Sequence, residues 1–127
     1  MENRYTKQAR EALDAAEVYA KELKHPYIGT EHLLMGLRTS ISGVAAQVLE
    51  MNGLREEDVR KVVGELVSRV GDEPFSGRPK ESPRLKFILE EGRKMAERFR
   101  MPEVGTEHLL LAIVRDTDCV AARILIT

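Results

Sequence analysis

The sequence predicts an all-α fold made from one helical unit used twice, and three observations carry that expectation. The hexapeptide GTEHLL at Gly29–Leu34 returns unchanged at Gly105–Leu110, 76 residues later, and identity over six positions marks a structural repeat. Around each copy, apolar residues recur at steps of three and four, the spacing that keeps one face of an α-helix apolar. Aromatic residues are only 5% of the chain and tryptophan is absent, which suits an aliphatic helical core better than a sandwich of sheets.

The same shift carries Val44-Ala45-Ala46 onto Val120-Ala121-Ala122, Pro26 onto Pro102, Leu13 onto Leu89 and Leu49 onto Leu125. The repeat is therefore a module within one domain spanning 1–127, with a first unit over about 4–70 and a second over about 82–127. Between them, 71–81 reads GDEPFSGRPKE, a stretch of glycine, proline and charge expected to be an exposed linker.

Ala9, Leu13, Ala16, Ala20 and Leu23 form the predicted core stripe of the first helix, mirrored by Leu85, Leu89, Gly92, Ala96 and Phe99. Thr6 and Ser82 are placed to cap those helices, and Pro83 suits a first turn because its missing N–H costs nothing there. Pro26 and Pro102 mark the ends, since a residue before proline is pushed out of the helical region. A shorter helix then opens at Thr30 or Thr106, whose hydroxyl is expected to cap it, and turns Leu33, Leu34 and Leu37 inward. The third carries Val44, Ala45, Val48 and Leu49 and ends on Asn52-Gly53, a left-handed cap. The fourth runs from about Glu56 to Val70 on Val59, Val62, Val63, Leu66, Val67 and Val70, closed by Gly71. No strand is required. The second unit has no counterpart of that last helix before Thr127.

Charge narrows the function classes. Charged residues are 32% of the chain but sum to −1, whereas coating a nucleic acid or an anionic membrane surface wants a basic excess. No window approaches the roughly 20 apolar residues of a membrane span, and MENRYTKQAR lacks the apolar core of a secretory signal. A soluble, cytoplasmic protein is expected, with no nucleic-acid or membrane partner. Cys119 is the single cysteine, so neither an internal disulfide nor a cysteine-based zinc site is available. No nucleotide-binding GxxxxGK[ST] loop occurs, and ATP hydrolysis has to reside elsewhere.

YTKQAR…HPYIGTEHLL…GVAAQVL, followed by SPRLKFILE…GTEHLLLAIV…VAARIL, resembles the Clp N-terminal repeat domain, closer to the ClpC branch of the AAA+ unfoldases than to ClpA or ClpB. The likeness covers nearly the whole chain. It implies two four-helix repeats about a pseudo-twofold axis, and a domain that receives adaptor proteins and substrates for a hexameric ATPase body, supplied in cis or in trans. It further implies two sites for phosphorylated arginine, centred on Thr30-Glu31-His32 and Thr106-Glu107-His108, with no cofactor, metal or catalytic residue. The chain departs from the ClpC pattern in the loops RTSISG and RDTDC, and in Lys24-His25-Pro26 and Arg100-Met101-Pro102.

The residues also admit plainer readings. Glu31 and Glu107 complement a helix dipole, worth about 0.3–1 kcal/mol each, wherever else they act. Thr30 and Thr106 are expected both to cap the helix and to border the site. His32 and His108 lack the spacing of a metal-binding motif and read as packed, hydrogen-bonding histidines; His25 has no evident partner, and Cys119 reads as a small filler. A second reading is a free-standing regulator that sequesters adaptors, marked clients or antibiotics. An enzyme is the third, and it lacks any constellation of nucleophile, base or metal.

Overall fold

The computed structural model describes residues 4–39, 43–53, 55, 57–61 and 77–116. In chain order the elements are α1 (Lys7–Glu22), β1 (Tyr27–Ile28), α2 (Thr30–Thr39), α3 (Val44–Met51), β2 (Lys80–Glu81), α4 (Pro83–Arg98) and α5 (Thr106–Arg115), with a helical stretch at 57–61. The fold is all-α in its packing: α1 lies on α2, α4 lies on α5, and α3 joins α2 to α5.

The long helices begin as their sequences require. Thr6 Oγ1 accepts from Ala9 N–H and Ser82 Oγ from Leu85 N–H, both at 3.1 Å, and Pro83 stands in the first turn of α4. Their ends follow a different rule from the one proline implies. Lys24 and Arg100 adopt left-handed backbone conformations, φ 60° and 57°. Lys24 N–H donates to the Lys21 carbonyl and His25 N–H to that of Ala20, while Arg100 and Met101 do the same to Glu97 and Ala96. This is the Schellman closure, which satisfies the last carbonyls of a helix before the chain leaves it. Leu23 and Phe99 become the C-cap residues and swing off the buried stripe, 38% and 58% exposed, so they are not core residues. Ala12, Ile88 and Met95 are buried instead.

Ala9, Ala12, Ala16 and Ala20 are all buried, giving α1 a face of methyl groups onto which α2 can settle closely. Gly36 completes that approach, since a Cβ there would overlap the carbonyl oxygen of Ala12. Leu33, Leu34, Leu37, Leu85, Ile88, Leu109 and Ile113 are the large, fully buried side chains, each worth about 1.5–3 kcal/mol in area removed from water. Val59 joins them at the start of the fourth helical stretch; Val62 to Val70 lie outside the described residues. In α3 the buried set is Ala45, Ala46 and Leu49. Val44 and Val48 are exposed rather than inward, because only one narrow face of α3 meets α2 and α5. Gly53 takes the left-handed position expected of it, φ 79°.

Two short pairings correct the expectation that no strand is needed. β1 and β2 are parallel, with Tyr27 opposite Lys80 and Ile28 opposite Glu81, and Tyr5 forms a parallel bridge with Val104. Extended residues leading into a buried helix have backbone groups to satisfy, and each segment before GTEHLL finds them near the start of a long helix. Lys80 N–H donates to Pro26 and Ser82 N–H to Ile28; Thr6 N–H donates to Val104 and Val104 N–H to Arg4. The 76-residue shift carries Ile28 onto Val104 and Tyr5 onto Glu81, so the two pairings exchange under it. Of the stretch 71–81, residues 77–81 are described: Pro79 is buried and the other four are exposed.

Lysine and arginine in a left-handed conformation carry a steric cost that glycine does not. Lys24→Gly and Arg100→Gly are each expected to raise unfolding stability by about 1 kcal/mol; urea denaturation of the two variants against the parent measures it.

Candidate functional site

The two GTEH segments form the N-termini of α2 and α5, and the four threonine and histidine side chains are almost fully buried, at 2% exposure for Thr30, His32 and Thr106 and 4% for His108. Each histidine closes its own helix. His32 Nδ1 accepts from Gly29 N–H at 2.9 Å and His108 Nδ1 from Gly105 N–H at 2.8 Å. A third helical residue reaching back to the backbone before the helix is the arrangement a glutamate makes in a capping box; here imidazole replaces the carboxylate. The plain reading of both histidines therefore holds.

That leaves the glutamates free of capping. The Glu31 and Glu107 carboxylates fold back across Gly29 and Gly105, so closely that a Cβ on either glycine would overlap the Oε1 atom. Glu31 also accepts from its own N–H, which favours the charged form, but burial is the larger influence and pushes its carboxyl above the usual range. Each carboxylate thus lies at the positive end of a helix dipole, with glycine leaving room for it. Glu31 Oε1 is 3.7 Å from His32 Nδ1, yet that nitrogen already accepts from Gly29. The contact brings two acceptors together and is not an ion pair.

Thr106 does not cap α5, whose N-cap is Gly105. Its hydroxyl accepts instead from Ala45 N–H at 3.2 Å, in the first turn of α3. Two helix N-termini therefore converge at this site, one from each sequence unit. Thr30 is likewise the first residue of α2 and buried. Val120-Ala121-Ala122 and Cys119 lie outside the described residues.

His25 acquires the partner its sequence context does not reveal, with its Nδ1 2.9 Å from His32 Nε2. Because His32 Nδ1 accepts from Gly29, the proton of that ring is on Nε2 and is donated to His25 Nδ1. His25 then carries its own proton on Nε2, and both rings are neutral. Burial lowers the pKa of each, and that of His32 falls to about 4 with the neighbouring ring adding to the effect. The second site has Met101 at the corresponding position, and there Phe99 stacks on His108 with centroids 6.4 Å apart. Among the described residues no group of three or more His, Cys, Asp or Glu could hold a metal ion, and no helix is long and apolar enough to cross a membrane.

An all-α domain with paired GTEH helix starts is the class of structure that the fold and the motif define together. The chain belongs to the Clp repeat (R) N-terminal domain family, whose pattern it matches over residues 4–127. It is 39% identical over 125 residues to ClpC/MecB of Bacillus subtilis, named there a negative regulator of genetic competence, covering 98% of this chain and 15% of that protein. The ClpC ATP-binding subunit of the Clp protease of Staphylococcus aureus USA300 is 39% identical over 95% of this chain. The chain thus spans about one seventh of these relatives, at 14–15% of their length. In fold it is similar to the Hsp104 N-terminal domain of Candida albicans, with TM-score 0.77 and 16% identity over 97% of this chain and 80% of that one. It is also similar to a ClpV N-domain solved with a VipB peptide, with TM-score 0.73 and 22% identity over 91% and 70% of the two chains.

Two outcomes test this geometry. Thr106→Val leaves Ala45 N–H buried without its acceptor and is expected to cost about 1–3 kcal/mol in thermal or urea unfolding. His32 is harder to protonate folded than unfolded, so the unfolded chain binds more protons below the ordinary histidine pKa. Stability is then expected to fall as pH drops from 6.5 toward about 4, and unfolding free energies of His32→Gln across that range should lack this component.

Proposed function

We propose that the chain is the substrate- and adaptor-receiving domain of a ClpC-like ATP-dependent unfoldase, and that its two GTEH helix starts bind phosphoarginine. The observation that carries this reading is the pairing, at each start, of a carboxylate with a helix N-terminus. Phosphoarginine presents a guanidinium and a phosphoryl group together. A carboxylate suits the first through charge-assisted hydrogen bonds, and first-turn N–H groups with the positive dipole end suit the second. In the free protein Glu31 accepts from its own N–H; on binding, the carboxylate turns outward to the guanidinium and gives that N–H to the phosphoryl group. Thr30-Glu31-His32 and Thr106-Glu107-His108 form the two ligand sites in this reading, the histidines as positioning residues that hold Gly29 and Gly105.

Two sites on one domain engage two marks on one client, which raises avidity through effective concentration. The exchange of the β1–β2 and Tyr5–Val104 pairings under the 76-residue shift supports a pseudo-twofold arrangement that presents the sites as equivalents. The ClpV N-domain, solved with a peptide, supports peptide reception by a fold of this kind.

Calorimetric titration with phosphoarginine and with plain arginine tests the site. Phosphate-dependent binding to two sites is expected, with at least about tenfold loss in Glu31→Ala/Glu107→Ala, as for removal of a charge-assisted contact. Equal affinity for the two ligands, or unchanged binding in the double variant, would reject it.

A further inference from the structure

The His25 and His32 rings are hydrogen-bonded at the first GTEH start, 2.9 Å from Nδ1 to Nε2, and the ligand contacts proposed above do not use that bond. The 76-residue shift puts Met101 at the position of His25, so the second start has no such pair. The places for protons on the pair can be counted. His25 carries its own proton on Nε2, His32 Nε2 donates to His25 Nδ1, and His32 Nδ1 accepts from Gly29 N–H at 2.9 Å. While the two rings stay bonded, one further proton has a single place to go. If it arrives at His25 Nδ1, His32 Nε2 has to become the acceptor, and the proton of His32 moves to Nδ1.

A proton on His32 Nδ1 faces the Gly29 N–H donor, and that bond is lost. It has another acceptor close by, because Glu31 Oε1 stands 3.7 Å from the same nitrogen. The contact that sets two acceptors together in the neutral pair becomes a donor and an acceptor once the proton is there. The charge settles on the half-buried His25 ring, since His32 is 2% exposed and burial opposes the charged form. Burial and the His25 ring take the pKa of His32 down to about 4, whereas burial alone acts on His25. Among the described residues Glu31, on α2, is the other titratable group set against the pair; Lys24 after α1 and Tyr27 in β1 are exposed.

We propose that His25 is a proton switch for the first GTEH start: a proton taken up by the His25–His32 pair moves the His32 tautomer, releases Gly29 N–H and draws the Glu31 carboxylate onto His32 Nδ1. The proton comes from solvent, and no other covalent bond changes. His25 is a positioning residue, acting on Glu31 through His32, and Met101 leaves the second start without the device. Its bearing on ligand rests on the reading of Glu31 as the guanidinium contact. A carboxylate held by His32 no longer turns outward, so acid weakens the first site relative to the second.

The ligand-free full chain, titrated from about pH 7.5 to about pH 4.5 with imidazole nitrogens and backbone amides followed by NMR, decides the switch. His32 Nδ1 is expected to pass from its unprotonated to its protonated shift in one step with the Gly29 amide. His25→Gln keeps an acceptor for His32 Nε2 but takes no proton, and should move that step to lower pH. His25 titrating while His32 Nδ1 stays unprotonated, an unmoved Gly29 amide, the same midpoint in His25→Gln, or the proton appearing on the Glu31 carboxyl instead would overturn the proposal. The effect on ligand is read by calorimetry with phosphoarginine at about pH 7.5 and about pH 5. Glu107→Ala isolates the first site and Glu31→Ala the second. Affinity should fall at least about fivefold more in the former, the lower end of coupling between sites, and adding His25→Gln should abolish that difference. Equal falls at the two sites would overturn the regulatory claim. Absence of binding in both variants at about pH 7.5 defeats the phosphoarginine reading, and the ligand-free titration still decides the switch.

Discussion

Two helices of this protein begin in its interior, and a helix that begins there must find acceptors for N–H groups that water cannot reach. Much of the architecture around α2 and α5 is a solution to that constraint. The residues before each helix run extended and pair with the start of a long helix, Ile28 with Glu81 and Val104 with Tyr5. The N–H of the preceding glycine goes to a histidine ring. The threonine that opens α5 serves the N-terminus of α3 rather than its own helix. Each of these contacts holds a helix start in a fixed orientation, and together they tie the two sequence units to one another.

The placement of two carboxylates follows from the same constraint. Because histidine performs the back-bonding that a capping glutamate commonly performs, the neighbouring glutamate keeps its carboxylate at the positive helix end, folded over the glycine before the helix. Gly29 and Gly105 have no side chain to displace that carboxylate. The proposed function uses that placement: a half-buried carboxylate at the positive helix end is the group that would turn toward a ligand's guanidinium. The two helix starts are not identical in surroundings: His25 hydrogen-bonds to His32 in the first, whereas Phe99 stacks on His108 in the second.

The units differ in the same way away from the sites. Ala112 stands where the first unit has Gly36, the residue whose missing Cβ lets α2 lie against the backbone of α1 at Ala12. Such differences arise easily within a repeat, because the shared residues secure the fold and release the others.

The sequence by itself determined the helical class, the repeat and its shift, the caps at Thr6, Ser82 and Gly53, and the residues of the GTEH motif. All of these rest on local preferences or on identity between copies, which need no knowledge of what packs on what. Tertiary structure alone decided that Thr106 bonds to Ala45, that His25 meets His32, and that Val44, Val48, Leu23 and Phe99 are exposed. It also decided that Lys24 and Arg100 hold left-handed positions usually left to glycine. The joint recurrence of GTEHLL and VAA was the one available signal of the cross-unit contact, since segments that bond to each other are constrained together. The remainder was illegible for a physical reason: periodicity locates the apolar face of a helix, but which part of that face is covered, and which polar groups meet across it, depends on neighbours brought close by the fold.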